Sequence, residues 1–164
     1  VIYQASIPGP AGVYQSSKLF QGYSCVFRQW KAEGTHCRFL HGYAISFRVW
    51  FAGALDHRNW VFDFGGMRRA KGTINDLSPK DWFAYLLDHT VLIAQDDPEL
   101  ETFKALARAE VIQLRVLPQT GAECLAQYLY SHLAPFVQEE TQGRVSVTQV
   151  EVYENHTNSG IYQA

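Results

Sequence analysis

Cys37-Arg-Phe-Leu-His41-Gly42-Tyr43-Ala-Ile-Ser-Phe-Arg-Val-Trp-Phe51 is the stretch on which the reading of this chain turns. From Tyr43 to Phe51 the residues alternate in character and are rich in aromatic and β-branched side chains. That pattern predicts a strand with one face buried. The step His41-Gly42-Tyr43 opens the strand, and a thiol stands four residues ahead of the histidine. Glu33-Gly34-Thr35-His36-Cys37 reads as a polar loop rather than a core strand. A lone cysteine is by default a small buried hydrophobe, and this loop setting makes Cys37 a candidate reactive group.

Working outward, Leu19 to Trp30 reads as a first strand and Lys31 to Thr35 as the turn after it. Gly53 to Asn59 reads as a turn, and Trp60-Val-Phe-Asp-Phe64 as a short strand ended by Gly65-Gly66. Ser78-Pro79 is a helix start, with serine as N-cap and proline in the first turn. Trp82, Tyr85, Leu86 and His89 then follow at helical spacing. Asp97-Pro98 opens a short helix through Phe103 and Leu106, and Val111 to Leu117 alternates as a strand. Thr120-Gly-Ala-Glu123 has the form of a capping box, leading a helix with Leu125, Leu129, His132 and Leu133 on one face. Arg144 to Glu154 is the most regular strand. Residues 1–17 read as an irregular arm and 18–164 as one domain. The order of elements predicts an α+β fold: an antiparallel four-stranded sheet with two main helices on one face. Its open edges would invite pairing between copies.

Composition excludes some classes of function. With 164 residues, 47% apolar, the chain is long and apolar enough for a folded core. A formal charge of −2, without clustered basic residues, gives no reason to expect nucleic acid. No apolar run approaches the length of a membrane span, and neither a membrane partner nor a secretory signal is expected. Cys25, Cys37 and Cys124 form neither a disulfide framework nor a CxxC pair, so a reducing, cytoplasmic compartment is expected.

Several motifs recur in a set order: Cys37 before His41-Gly42, Asp63-Phe64, Leu87-Asp88-His89, Glu123 at a helix start, and Val152-Tyr-Glu154-Asn155 leading to Ile161-Tyr162. In that order and spacing they resemble the 6-pyruvoyl/6-carboxy-tetrahydropterin synthase family, from about Leu19 to Tyr162. The three-residue gap between Cys37 and His41 is closer to the 6-carboxytetrahydropterin synthases. The resemblance implies the tunnelling fold, in which sheets from several subunits close into a barrel. It also implies a homo-oligomer (a hexamer or other multimer) with sites at subunit interfaces, and a lyase acting on a small-molecule pterin of the dihydroneopterin triphosphate type. By resemblance Cys37 is the base, Asp88 and His89 the charge pair that assists it, and Glu154 the clamp for the aminopyrimidine edge. Glu123 is an auxiliary contact whose capping role already accounts for it. Gly121-Ala122 stands where the family has Pro-Thr.

The family's zinc is held by one histidine of the first strand and two of a His-Gly-His step. Here His41 is the one retained ligand, Tyr43 takes the third position, and no histidine precedes His36. Gln29 or Trp30 is expected at the first position. Two readings stay open: a lyase with a rearranged or weak zinc site, or a relative that binds a pterin or similar heterocycle without zinc-dependent catalysis.

Overall fold

The alternating run from Tyr43 lies within strand β2 (His41–Gly53) of the computed structural model, which describes residues 2–4, 13–69 and 72–164. Ile45, Phe47, Val49 and Phe51 are all fully buried on one face of β2. The intervening Ala44, Ser46, Arg48 and Trp50 are exposed or half-buried on the other face. Truncating a buried ring such as Phe47 to alanine would cost about 3–5 kcal/mol. β1 (Tyr14–Phe27) pairs antiparallel with β2 along nearly its whole length. It begins inside the stretch read as an arm; residue 1 and residues 5–12 lie outside the described residues.

The sheet has six strands in the order β4-β3-β1-β2-β5-β6. β5 (Val145–Tyr153) pairs antiparallel with β2, and β6 (Ser159–Gln163) with β5. On the other side, β3 (Thr90–Ala94) runs parallel to β1, and β4 (Leu114–Leu117) parallel to β3. The expected four-stranded antiparallel sheet is thus corrected to a mixed, six-stranded one. The reason lies in Thr90-Val-Leu-Ile-Ala94: all five residues are buried, so the strand shows no alternation in sequence. Parallel neighbours need a crossover, and here α3 (Leu100–Arg108) supplies the one between β3 and β4.

Trp60–Phe64, read as a strand, is instead an irregular segment leading into the single turn α1 (Gly66–Arg69). Phe62 and Phe64 turn inward, and the Phe62 ring stacks on Phe51 at 4.7 Å. Its alternation therefore serves core packing without a ladder. α2 (Pro79–Leu87) starts as expected, with the Ser78 hydroxyl accepting from the Asp81 N–H at 3.3 Å. It buries Trp82, Phe83, Leu86 and Leu87. α4 (Ala122–Glu140) buries Leu125, Leu129, Leu133, Phe136 and Val137. Its start departs from the expected capping box: Gly121 is the cap residue, with no side-chain hydrogen bond. The Thr120 hydroxyl donates to the Arg28 carbonyl at 2.6 Å, tying the helix start to the end of β1.

Candidate functional site

Two departures from regular strand geometry set the site. The first is a bulge in β1 between Phe20 and Tyr23, where Gly22 adopts φ +93°. Continuing the Phe20–Phe47 register would place Val26 opposite His41. With the extra residue, Phe27 pairs with His41 and Cys25 with Tyr43. The second is the close approach of β6 to α4: a Cβ on Gly160 would lie 2.5 Å from the Glu123 backbone nitrogen. Only glycine allows that contact, which brings the start of α4 against the end of the sheet.

A cavity of about 950 Å³ opens over this end of the sheet. Cys37, His41, Tyr43 and Glu154 line it, with Arg48 and His156 further along. Cys37 sits in a short 3-10 turn (His36–Arg38) and is half-buried. The Thr35 hydroxyl accepts from its N–H at 3.2 Å, and its carbonyl accepts from the Gln29 N–H at 2.9 Å. The loop beneath is anchored by charge. Arg28 holds the buried Asp97 through two bonds of 2.8 and 2.5 Å, and Lys31 reaches Asp96 at 2.7 Å.

Glu154 follows β5 directly, its N–H donating to the Asn158 carbonyl at 3.0 Å. The turn between is closed by Asn155, whose side-chain oxygen accepts from the N–H groups of Thr157 and Asn158 at 2.8 and 2.9 Å. Burial and the Glu123 carboxylate raise the Glu154 pKa, and the nearby His41 partly offsets them. Glu123, at the start of α4, does not itself line the cavity.

His41 is wired at both ring nitrogens. Nδ1 meets the Phe39 carbonyl at 2.8 Å and Nε2 meets the Tyr43 hydroxyl at 2.5 Å. A carbonyl only accepts, so the network assigns the proton to Nδ1, and Nε2 accepts from the phenol. The Tyr43 ring is packed in turn on Phe27, with centroids 4.2 Å apart and planes 13° from parallel. Burial first, then the charges of Glu154 and Cys37, raise the Tyr43 pKa and keep it a donor. On β1 the residue paired with His41 is Phe27. Among the described residues no three His, Cys, Asp or Glu side chains converge as metal ligands. His41 offers one nitrogen lone pair and Tyr43 occupies it, so the residues present do not fit a zinc centre.

Asp88 and His89 form the expected pair, with His89 Nδ1 3.1 Å from Asp88 Oδ1. The Ser24 N–H donates to Asp88 at 3.2 Å and the His89 N–H donates to the Ser24 carbonyl at 2.6 Å. The Ser24 hydrogen bond, with burial opposing it and His89 assisting, lowers the Asp88 pKa. The pair does not line the Cys37 cavity; His89 faces a different hollow, with Ser24, Cys25 and Thr90. One wall residue had not been singled out from sequence. Arg48 lines the Cys37 cavity, held by the Ser17 hydroxyl at 3.0 Å. The signal was an arginine on the solvent face of an otherwise apolar strand. Arg28 and Arg58, in contrast, are engaged by Asp97 and by Asp56 with Asp63. Among the described residues no helix is long and apolar enough to cross a membrane.

The comparisons with known proteins agree with this architecture. No curated protein sequence matches the chain. Among solved structures, an uncharacterized protein of Wolinella succinogenes superposes with a TM-score of 0.76 at 21% identity, over 93% of this chain and 99% of that one. The 6-pyruvoyl tetrahydropterin synthase of Caenorhabditis elegans gives 0.60 at 15% identity, over 93% and 96%. That of Plasmodium vivax gives 0.60 at 14%, over 92% and 98%. Such identities establish a shared fold. The family model described as 6-pyruvoyl tetrahydropterin synthase matches residues 18–164, and the chain belongs to that family.

Proposed function

We propose that the protein is a tetrahydropterin synthase-like lyase, closest to the 6-carboxytetrahydropterin synthases, acting on a dihydroneopterin triphosphate-type pterin. The observation that carries this reading is the single cavity that gathers Cys37, Tyr43, Glu154 and Arg48. Glu154, with Glu123 beside it, presents carboxylate oxygens suited to the N–H donors of an aminopyrimidine. Arg48 is the cation placed for the anionic end of the ligand. Cys37, on a loop fixed by backbone hydrogen bonds, would take a proton from the substrate side chain as thiolate. Asp88 orients His89 and favours its imidazolium, which suits proton relay. Since the pair lies away from the Cys37 cavity, its place in this reading is in the site of a neighbouring copy. Among the described residues β4 and β6 are the outer strands of the sheet, and their edges leave room for such an oligomer.

A second reading is favoured by the His41–Tyr43 bond: a pterin-binding relative that does not turn its ligand over. Incubation with dihydroneopterin triphosphate, followed by chromatography of the pterins, separates the two. Side-chain cleavage that Cys37→Ala abolishes while pterin binding persists supports the lyase. Tight binding with no product supports the second reading. Turnover and binding both unchanged in Cys37→Ala would remove the catalytic assignment.

A further inference from the structure

We propose that the Tyr43 hydroxyl, held by Phe27, takes the place of a metal ion at His41, so that this cavity receives its ligand by hydrogen bonding and stacking rather than by coordination. The inference deepens the pterin reading of the same site. Its observations are three. The Nε2 lone pair, the only one a neutral imidazole protonated at Nδ1 can give, is taken by Tyr43 at 2.5 Å. The β1 position facing His41 holds a carbon ring, since Phe27 is 1% exposed and stacked on Tyr43 at 4.2 Å. The other histidines do not make good the loss. Among the described residues none of the others joins a cluster of ligating side chains, and His57 follows the far end of β2.

The three aromatic rings form a continuous arrangement, His41 against Tyr43 at 4.8 Å and Tyr43 against Phe27 at 4.2 Å. Their positions are paired across the strands, so histidines at 27 and 43 would bring two more imidazoles to His41 from the same face of the sheet. The chain therefore keeps the geometry of a three-ligand centre while filling it with a hydroxyl donor and an apolar ring. With its proton given to His41, the Tyr43 oxygen keeps lone pairs that can accept from an O–H or N–H of a ligand, where a cation would instead coordinate a ligand oxygen.

The test is the zinc content of the full chain, purified from zinc-supplemented medium without chelator, beside the variants Tyr43→His and Phe27→His/Tyr43→His. Substoichiometric zinc in the wild type and stoichiometric zinc in the double variant are expected. Stoichiometric zinc in the wild type would overturn the proposal, as would a folded double variant that takes up none. If the double variant does not fold, Tyr43→His alone leaves the core ring in place and should still bind zinc more tightly than the wild type; no gain overturns the proposal. Zinc content is read without any pterin. A failure of neopterin to bind would therefore count against the pterin reading and leave the metal result standing.

Discussion

Two carboxylates, Asp97 and Glu154, are treated in opposite ways by the fold. Asp97 has a side chain with no exposed surface, yet Arg28, next to the Gln29 that bonds the Cys37 carbonyl, gives it two hydrogen bonds and the Glu99 N–H a third at 2.8 Å. Burial pushes its pKa up, but these bonds more than reverse the effect and the net shift is downward. Glu154, facing the cavity, has the reverse balance. Among the described residues its carboxylate has no ion pair, and burial together with Glu123 leaves its pKa raised. A paired charge holds structure; an unpaired one, placed where a ligand can reach it, is available to bind. In the proposed reading the contrast separates a residue that builds this end of the molecule from one that binds the ligand there.

The largest effect should come from the loop that Asp97 supports. Cys37→Ala should lower turnover by a factor on the order of 10²–10⁴ with little change in pterin affinity, as for loss of a positioned proton-transfer group. Equal loss of affinity would make Cys37 a binding residue. Asp97→Ala comes next and should act on stability: it strands the Arg28 guanidinium, itself only 19% exposed, and should cost about 2–4 kcal/mol by denaturant titration. The pH dependence has a definite sign. Because folding lowers the Asp97 pKa, its contribution is present above the unfolded value near about 4 and is lost as pH falls through the folded value. A stability profile in which Asp97→Ala matches the wild type at neutral pH would break the contrast.

How much of this could be read from sequence depends on whether a feature is local. Strand β2 buries alternate residues, as does β5 on either side of a register shift after Val147, and alternation is visible in one dimension. The Ser78 cap is local as well. β3 was hidden because Val91, Leu92, Ile93 and Ala94 are buried whichever way they point. Trp60–Phe64 misled because its alternation reflects packing on Phe51 without any strand partner. Thr120 and Glu123 have the spacing of a capping box, but the Thr120 hydroxyl is drawn to Arg28, 92 residues away in sequence. The same division runs through the site. Cys37, His41 and Glu154 stand in readable motifs, and the cavity brings them together. That Phe27 faces His41 depends on one extra residue in the bulge at Gly22, a register shift the sequence does not display.

Glu154→Gln sharpens the contrast from the ligand side. It keeps the size of the side chain but removes a charged acceptor, and should weaken pterin binding roughly 10- to 100-fold, in line with about 1.5–3 kcal/mol for a hydrogen bond to a charged group. Asp88→Asn should lower turnover more than that affinity, since in the proposed reading Asp88 acts through His89 on proton transfer in the site of a neighbouring copy. The smallest effect, and the finest probe, belongs to Glu123→Gln. Glu154 must be ionised to accept from ring N–H donors, and its raised pKa means that affinity begins to fall at a higher pH than for an ordinary glutamate. Removing the Glu123 charge should move that fall to lower pH, because one of the two causes of the shift is gone while burial remains. The check is pterin affinity measured across the acid range in wild type and variant. A midpoint that does not move would mean that the two carboxylates do not sense each other, and that burial alone tunes Glu154.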